Sequence, residues 1–497
     1  MPSIRKRCAL VPADPVLVID AGTSSLRAVA LTRDGQASIV AEAAWPMSMP
    51  PDAEPFGREF EAREVLASLG GLLDRAKGGR FGAVAFTGQR GGLVFLDEQR
   101  KPVLISPNVD ARASAEGIEI DAQHGGDVYA VTGHLPSLMQ ASAKLTWLRT
   151  NRPGDAARIR CVLPLADWLA STLTGVVATS HSLAAENGLL DVTTRDLASS
   201  LLGRLGLDPS LVPPLVSDGT IAGEATAAGF ASIPVVHAGA DTQCALVGMG
   251  ALFPGDAGVP AGWSAPVQLV TERPLIDEAK RTWTGVHVVP RSWILESNAG
   301  ETGRAWQWIC DLSGLGPESA QCLAAQSLAG AHDVLAVLGP PAMYAGEMNA
   351  GIGGVTFPTP LVMSSPAKGD VLRCVLEATA YAIRANVEQL EEVSRTQIEM
   401  LRLGGGMSRS AVFAQIVADV LDRPVEVAST PHTTALGAAM LAFAAIGAFS
   451  SLEVATETLV RRSWTATPDP RVSALYDDYF SRWRAMSESF TQMASEA

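Results

Sequence analysis

A chain of 497 residues exceeds what one hydrophobic core sustains, so two large domains are expected. With 47% hydrophobic and 18% charged residues, its composition is that of a globular protein and excludes a disordered one. A formal net charge of −14 argues against a nucleic-acid partner, whose recognition needs a basic face, yet permits an anionic ligand held by backbone N–H groups.

Cys8, Cys161, Cys244, Cys310, Cys322 and Cys374 are scattered without a CxxC pair, as reduced thiols of a cytoplasmic protein would be, and predict no zinc site. Arg5, Lys6 and Arg7 precede only a very short apolar run, which does not read as a signal peptide. Residues 435–449 are apolar and uncharged but shorter than the roughly 20 residues that span a bilayer, so a tightly packed buried helix is expected and no membrane partner.

In chain order, residues 16–20 (VLVID) read as a buried strand, 21–25 (AGTSS) as a tight turn and 26–31 as the returning strand. Gly22, Thr23 and Ser24 can bring backbone N–H groups and hydroxyls against a phosphate, with Asp20 placed to hold a metal ion or its water. A plain hairpin could use the same residues. Residues 81–86 predict another strand, ending at Gln89 and Arg90, and 93–96 resume one. Asn108, Asp110 and Arg112 follow within a loop length, and such side chains suit a polyhydroxylated ligand. A solvated Asp110–Arg112 surface pair is the alternative. Residues 144–148 lie on an amphipathic segment, 164–173 read as a helix and 188–192 as strand-like.

Residues 233–236 predict a buried strand, 237–239 a small-residue loop, Asp241 its tip and 242–250 a helix. A carboxylate at the carboxyl end of a parallel strand is where open α/β sheets place their chemistry; a helix cap is the alternative. The hairpin pattern then returns: Ala261-Gly262-Trp263-Ser264-Ala265 can be laid on Ala21-Gly22-Thr23-Ser24-Ser25, which suggests two domains of one architecture. Residues 371–384 have helical spacing. Residues 400–403 read as a strand running into Gly404, Gly405 and Gly406, and Ser410 starts a helix with Ala411, Val412, Ile416 and Leu421 on its apolar face. Strand, triple glycine and helix let a phosphate or a flat base approach the backbone.

As an ordered set, DAGTSSLRAV, TGQRGGLVFLD, NVDARA, KLTWL, AGADTQ, LEATAYAIR, GGGMSRSAVFAQIVADVLDRPVEV and TALGAAMLA resemble the FGGY carbohydrate kinases of the actin-like ATPase superfamily. The resemblance covers nearly the whole chain and implies an α/β protein of two ribonuclease H-like domains, 1–250 and 251–497, with the active site in the cleft between them. It implies ATP and Mg²⁺, a small sugar or polyol as substrate, and leaves a homodimer open. Asp241 matches the family's catalytic aspartate, the base that accepts the proton of the attacking hydroxyl. Asp20 matches the carboxylate that holds Mg²⁺ through water. Gly22, Thr23 and Ser24, with Gly262 and Ser264, match the two phosphate loops, Gly405 and Gly406 the adenosine loop, and Gly303 and Gln307 further nucleotide contacts. Gln89, Arg90, Asn108, Asp110 and Gln243 are the substrate candidates.

Where glycerol kinases carry an Arg-Glu pair, Gly91 replaces the acid. NVDARA and the tail 461–470 look most like the autoinducer-2 kinase subgroup, which acts on a small linear polyhydroxy-ketone. Two departures stand out: Trp263 replaces a hydroxyl residue of the second phosphate loop, and His432 stands where an acid is common. A large indole on a hairpin is expected to pack beneath it and leave Ser264 facing the phosphates. A non-catalytic or weakly active sugar-binding relative is the alternative function. An actin-like filament protein or chaperone has no use for the polar site around Gln89, Arg90 and Asp110.

Overall fold

Val16–Ala21 (β1) is apolar on both faces apart from Asp20 and buried throughout, as a central strand must be. In the computed structural model, which describes residues 14–496 apart from 228, 347–350 and 364, it pairs antiparallel with Ser25–Leu31 (β2), which pairs antiparallel with Ala37–Ala44 (β3). On its other side lies Ala83–Gly88 (β4), parallel to it. Thr220–Glu224 (β5) and Pro234–Ala240 (β6) complete a sheet of order β5-β6-β4-β1-β2-β3, with β6 parallel to β4. Arg5, Lys6, Arg7 and Cys8 lie outside the described residues.

The second sheet is built from Ala257–Pro260 (β7), Pro266–Thr271 (β8), Trp283–Val286 (β9), Trp293–Asn298 (β10), Leu401–Gly404 (β11), Val425–Ala428 (β12) and Arg462–Ala466 (β13). Its order is β9-β10-β8-β7-β11-β12-β13, with β11 parallel to both β7 and β12 and the other pairs antiparallel. Read from the β13 edge, it repeats the first sheet strand for strand and adds β9. The similarity of AGTSS to AGWSA is the local trace of this repeat: the two turns occupy equivalent corners.

Helices cover the sheets. Ala62–Ala76 (α1) buries Val65, Leu69, Leu72, Leu73 and Ala76, one helical stripe. Leu165–Thr174 (α2), His181–Glu186 (α3) and Asp241–Gly248 (α4) follow in the first domain. Thr302–Ser313 (α5), Lys368–Ser394 (α6), Ala411–Leu421 (α7) and Thr433–Ala445 (α8) follow in the second. α8 is apolar on every side and buried on almost every side, packing on α4 and on β1 and β4 of the other domain. It crosses α4 with backbone against backbone: a Cβ on Gly248 would overlap the Thr433 carbonyl, and one on Gly437 the Cys244 carbonyl. Among the described residues, no helix is long and apolar enough to cross a membrane.

Three local expectations give way to tertiary context. β6 does not stop at Val236 but runs through His237 to Ala240, because a bulge between His237 and Gly239 keeps it in register with β4 and because Asp167 accepts from His237 Nδ1 at 2.7 Å. Residues 188–192 form no strand; Leu190 and Leu197 meet in a single bridge. On α7, Phe413, Ala414, Ile416 and Val417 are buried while Ala411 is exposed, since both α6 and the C-terminal helix Pro470–Glu496 pack on α7.

Candidate active site

The parallel strands β1, β4 and β6 end at one edge of the first sheet. There they deliver Asp20, then Gln89 and Arg90, then Asp241 as the first residue of α4. Opposite stand the β7–β8 turn and the turn after β11. The cleft between them is lined by Asp20, Gly22, Thr23, Ser24, Arg90, Asn108 and Asp241 on one side. Gly262, Trp263, Ser264, Gly405, Gly406 and the α8 residues Thr433 and Thr434 line the other. Gly405 has φ +84°, and a Cβ there would run into the Ala261 backbone, so only glycine lets the two turns fold together.

The cleft is the middle of a trough. Through Gly406 it continues into a recess lined by Gly316, Pro317, Glu318, Ser319, Gln321 and Arg409. Through Arg90 and Asn108 it continues into a small pocket lined by Gly91, His134, Leu135, Pro136, Met139, Gln140, Glu186, Trp283 and Asn298. Asp241 lines the middle section together with Arg90 and Asn108, the two residues that also line this pocket.

Burial pushes the Asp241 carboxyl up to about 7; Arg90 and the Thr242 N–H, 2.8 Å from Oδ1, pull it down, while Asp20 and Glu186 push it up. Burial also raises Asp20, opposed by Arg27, whose Nη2 lies 3.7 Å from Oδ2. Two carboxylates of raised proton affinity on one cleft are a place where a divalent cation relieves repulsion. Mg²⁺ takes one or two carboxylates and fills its shell with water and phosphate oxygens. Asp20 fits that need, and among the described residues no cluster of three acidic, His or Cys side chains forms a closed cage that would suit another metal better.

At the small pocket, Arg90 donates to both carboxylate oxygens of Glu296 in β10, at 2.6 and 3.0 Å, and to Glu186 at 3.3 Å. The acid absent beside Arg90 in sequence is thus supplied twice in space, once from each domain. Gln268 and Asn298 donate to Glu296, and Gln243 donates to Glu186 at 2.6 Å. Trp283 closes the pocket from the second domain, its Nε1 donating to the Leu135 carbonyl at 2.5 Å.

The cleft and pocket gather Asp20, Gly22, Thr23, Ser24, Arg90, Asn108, Asp241, Gly262, Ser264, Gly405 and Gly406. The other expected residues stand behind the walls. Gln89 is buried, donating to the Gly22 carbonyl and accepting from Asn108 N, so it braces the first turn. Gln243 is buried behind Glu186. Gly303 in α5 packs against the Gly262 carbonyl, and Gln307 donates to Asp311 on the exposed face of that helix, away from the cleft lining. Asp110 is neither a solvated surface acid nor a cleft residue: wholly buried, it accepts from Arg58 N, Ser106 Oγ and Arg112 Nε, leaving no capacity for a ligand.

Trp263 departs from expectation. Its ring is not packed beneath the hairpin but is 40% exposed on the cleft, with the Arg304 guanidinium 5.0 Å above it. His432 lines the same cleft. Sequence reasoning missed His134, Glu186, Trp283 and Glu296. The one local signal was an acid inside the apolar run WILESN of β10.

Residues 15–248 match the N-terminal domain, and 259–446 the C-terminal domain, of the FGGY family of carbohydrate kinases. The chain belongs to this family, and is therefore a carbohydrate kinase of a family that uses ATP. Among its relatives, an autoinducer-2 kinase of Yersinia pseudotuberculosis is 29% identical over 503 residues, covering 95% of this chain and 94% of that protein. A xylulose kinase structure from Rhodospirillum rubrum superposes with a TM-score of 0.82 at 25% identity, over 97% of this chain and 100% of that one. A Plasmodium falciparum glycerol kinase with ADP does so with a TM-score of 0.84 at 19% identity, over 96% and 98%.

Proposed function

We propose that this protein transfers the γ-phosphoryl group of ATP to a hydroxyl of a small linear sugar, ketose or polyol, with Asp241 as general base. The observation that carries this reading is the position of Asp241: in the cleft between the two glycine turns, on the wall it shares with Arg90, which also lines the small polar pocket, with a proton affinity near neutrality.

The adenosine would lie along Gly405 and Gly406 toward the recess at Arg409, and the phosphates between Gly22–Ser24 and Gly262–Ser264, whose backbone N–H groups suit anions. Mg²⁺, when bound, neutralises charge on the phosphate oxygens, and Asp20 would hold it through water. The acceptor would sit against Arg90, Asn108 and Trp283. Its hydroxyl proton passes to the Asp241 carboxylate as the oxygen bonds to the γ-phosphorus and the bond to the β-phosphate oxygen breaks, releasing ADP. The first domain, taken as 1–250, supplies the acceptor site and base; 251–497 supplies most of the nucleotide site.

Within the family, the autoinducer-2 kinase relative makes a small linear polyhydroxy-ketone the first acceptor to try. The exposed Trp263 favours a second reading, a sugar-binding relative with slow phosphoryl transfer. ATP consumption across D-xylulose, glycerol, erythritol and the autoinducer-2 precursor separates the two: turnover on one of them supports the kinase, and binding without turnover on any supports the second reading.

A further inference from the structure

The small pocket contains a titratable group whose neighbours favour its charged form. His134 Nδ1 lies 2.9 Å from the Thr132 carbonyl oxygen, and Nε2 lies 3.3 Å from Glu186 Oε2. The carbonyl only accepts, so Nδ1 carries a proton; the carboxylate facing Nε2 favours a second proton there, which makes His134 an imidazolium. Burial disfavours that charge, but the Glu186 ion pair and the Thr132 carbonyl outweigh it, with Arg90 opposing, and the net shift is upward. Burial likewise pushes Glu186 up, yet Arg90, His134 and Gln243 prevail and bring its carboxyl down to about 2. His134, Glu186, Arg90 and Glu296 form an alternating row of charges that runs from the first domain into the second. Trp283 also stands against His134, with ring centroids 5.6 Å apart.

We propose that His134 is a positioning residue of the acceptor pocket, which through Glu186 holds Arg90 toward a neutral polyhydroxylated acceptor, and whose loss of a proton releases that arrangement. This rests on the kinase reading above. Arg90 makes three hydrogen bonds to carboxylates and has N–H groups to spare for acceptor hydroxyls. Its direction depends on Glu186 staying in place. Once His134 is neutral with its proton kept on Nδ1, its Nε2 lone pair faces a carboxylate oxygen and repels it. Because the four charges sum to zero, the row offers an anionic acceptor no net attraction. Acceptor affinity therefore falls as pH rises through the raised pKa of His134, a limb separate from that of Asp241.

The test joins histidine-selective NMR with calorimetry on the ligand-free full-length protein. One of the seven histidines, assigned with His134→Gln, should keep both ring protons well past the ordinary imidazole value of about 6.5. The neutral panel compounds should lose affinity over the pH range in which it titrates. His134→Gln should bind them about ten-fold more weakly at pH 7, with affinity flat at alkaline pH and ATP binding unchanged. A His134 that titrates like a free imidazole, or wild-type acceptor affinity that does not follow its titration, overturns the proposal without any variant. Wild-type protein that binds no panel compound at any pH overturns the acceptor reading and this inference with it.

Discussion

The guanidinium of Arg304 lies 5.0 Å above the indole of Trp263, on the β7–β8 turn that lines the cleft. A half-open ring capped by an exposed guanidinium contributes little to the fold; such exposed pairs are worth about 0.5–1 kcal/mol. Trp263→Thr should therefore change unfolding free energy by less than about 1 kcal/mol. By clearing the cleft and restoring a hydroxyl, it should tighten ATP about ten-fold, a gain of about 1.4 kcal/mol. Thermal melts and nucleotide titrations check this; a loss of about 3 kcal/mol would mean that the ring is a core group after all.

Asp241→Asn should lower turnover by about 10²–10⁴-fold with nucleotide affinity little changed. In the wild type, kcat/KM should rise as pH rises through about 7, because the carboxylate is the active form. The stability effect has the opposite sense. A carboxyl whose folded pKa is raised favours the fold below its unfolded pKa and loses that contribution as pH rises through about 7. At pH 8 the Asn variant should therefore melt higher than the ligand-free wild type. A variant with near-wild-type turnover would reduce Asp241 to the first residue of a helix.

Asp20→Asn should raise the Mg²⁺ concentration needed for half-maximal turnover about ten-fold or more, leaving acceptor binding unchanged. Chelation with EDTA should stop turnover in the wild type and Mg²⁺ should restore it. An unchanged Mg²⁺ requirement in the variant would free Asp20 from this role.

Gly437→Ala tests the crossing of α4 and α8. Alanine favours a helix interior by about 1 kcal/mol, but here its methyl would overlap the Cys244 carbonyl. Overpacking of this kind costs about 1–3 kcal/mol or more, so the variant should melt lower. An unchanged or raised melting temperature would show that the two helices are free to separate.

The glycine turns that line the cleft could be read from the chain because their causes are local. A strand that ends in Asp20-Ala21-Gly22, a triple glycine after β11 and a carboxylate after β6 each need only a few contiguous residues. The second sheet announced itself through AGWSA for the same reason. Where a stretch depends on distant partners, the reading slipped. His237 continues a strand because a bulge keeps it paired with β4 and Asp167 satisfies its ring, and Asp110 looked like a ligand residue until Arg58, Ser106 and Arg112 enclosed it.

Of the small polar pocket, the sequence offered Arg90 and Asn108 but not the residues that meet them. Arg90 and Glu296 are 206 positions apart, and Arg90 and Glu186 are 96 apart, so no spacing rule joins them. The chain by itself determined two matched sheets, their glycine turns and the aspartates at the strand ends, because backbone geometry demands those residues wherever such turns form. Which charges meet across the domains, and that Trp263 turns outward into the cleft, only the tertiary structure decided. Buried ions must find partners wherever packing brings them, and an indole settles where the neighbouring helix leaves it room.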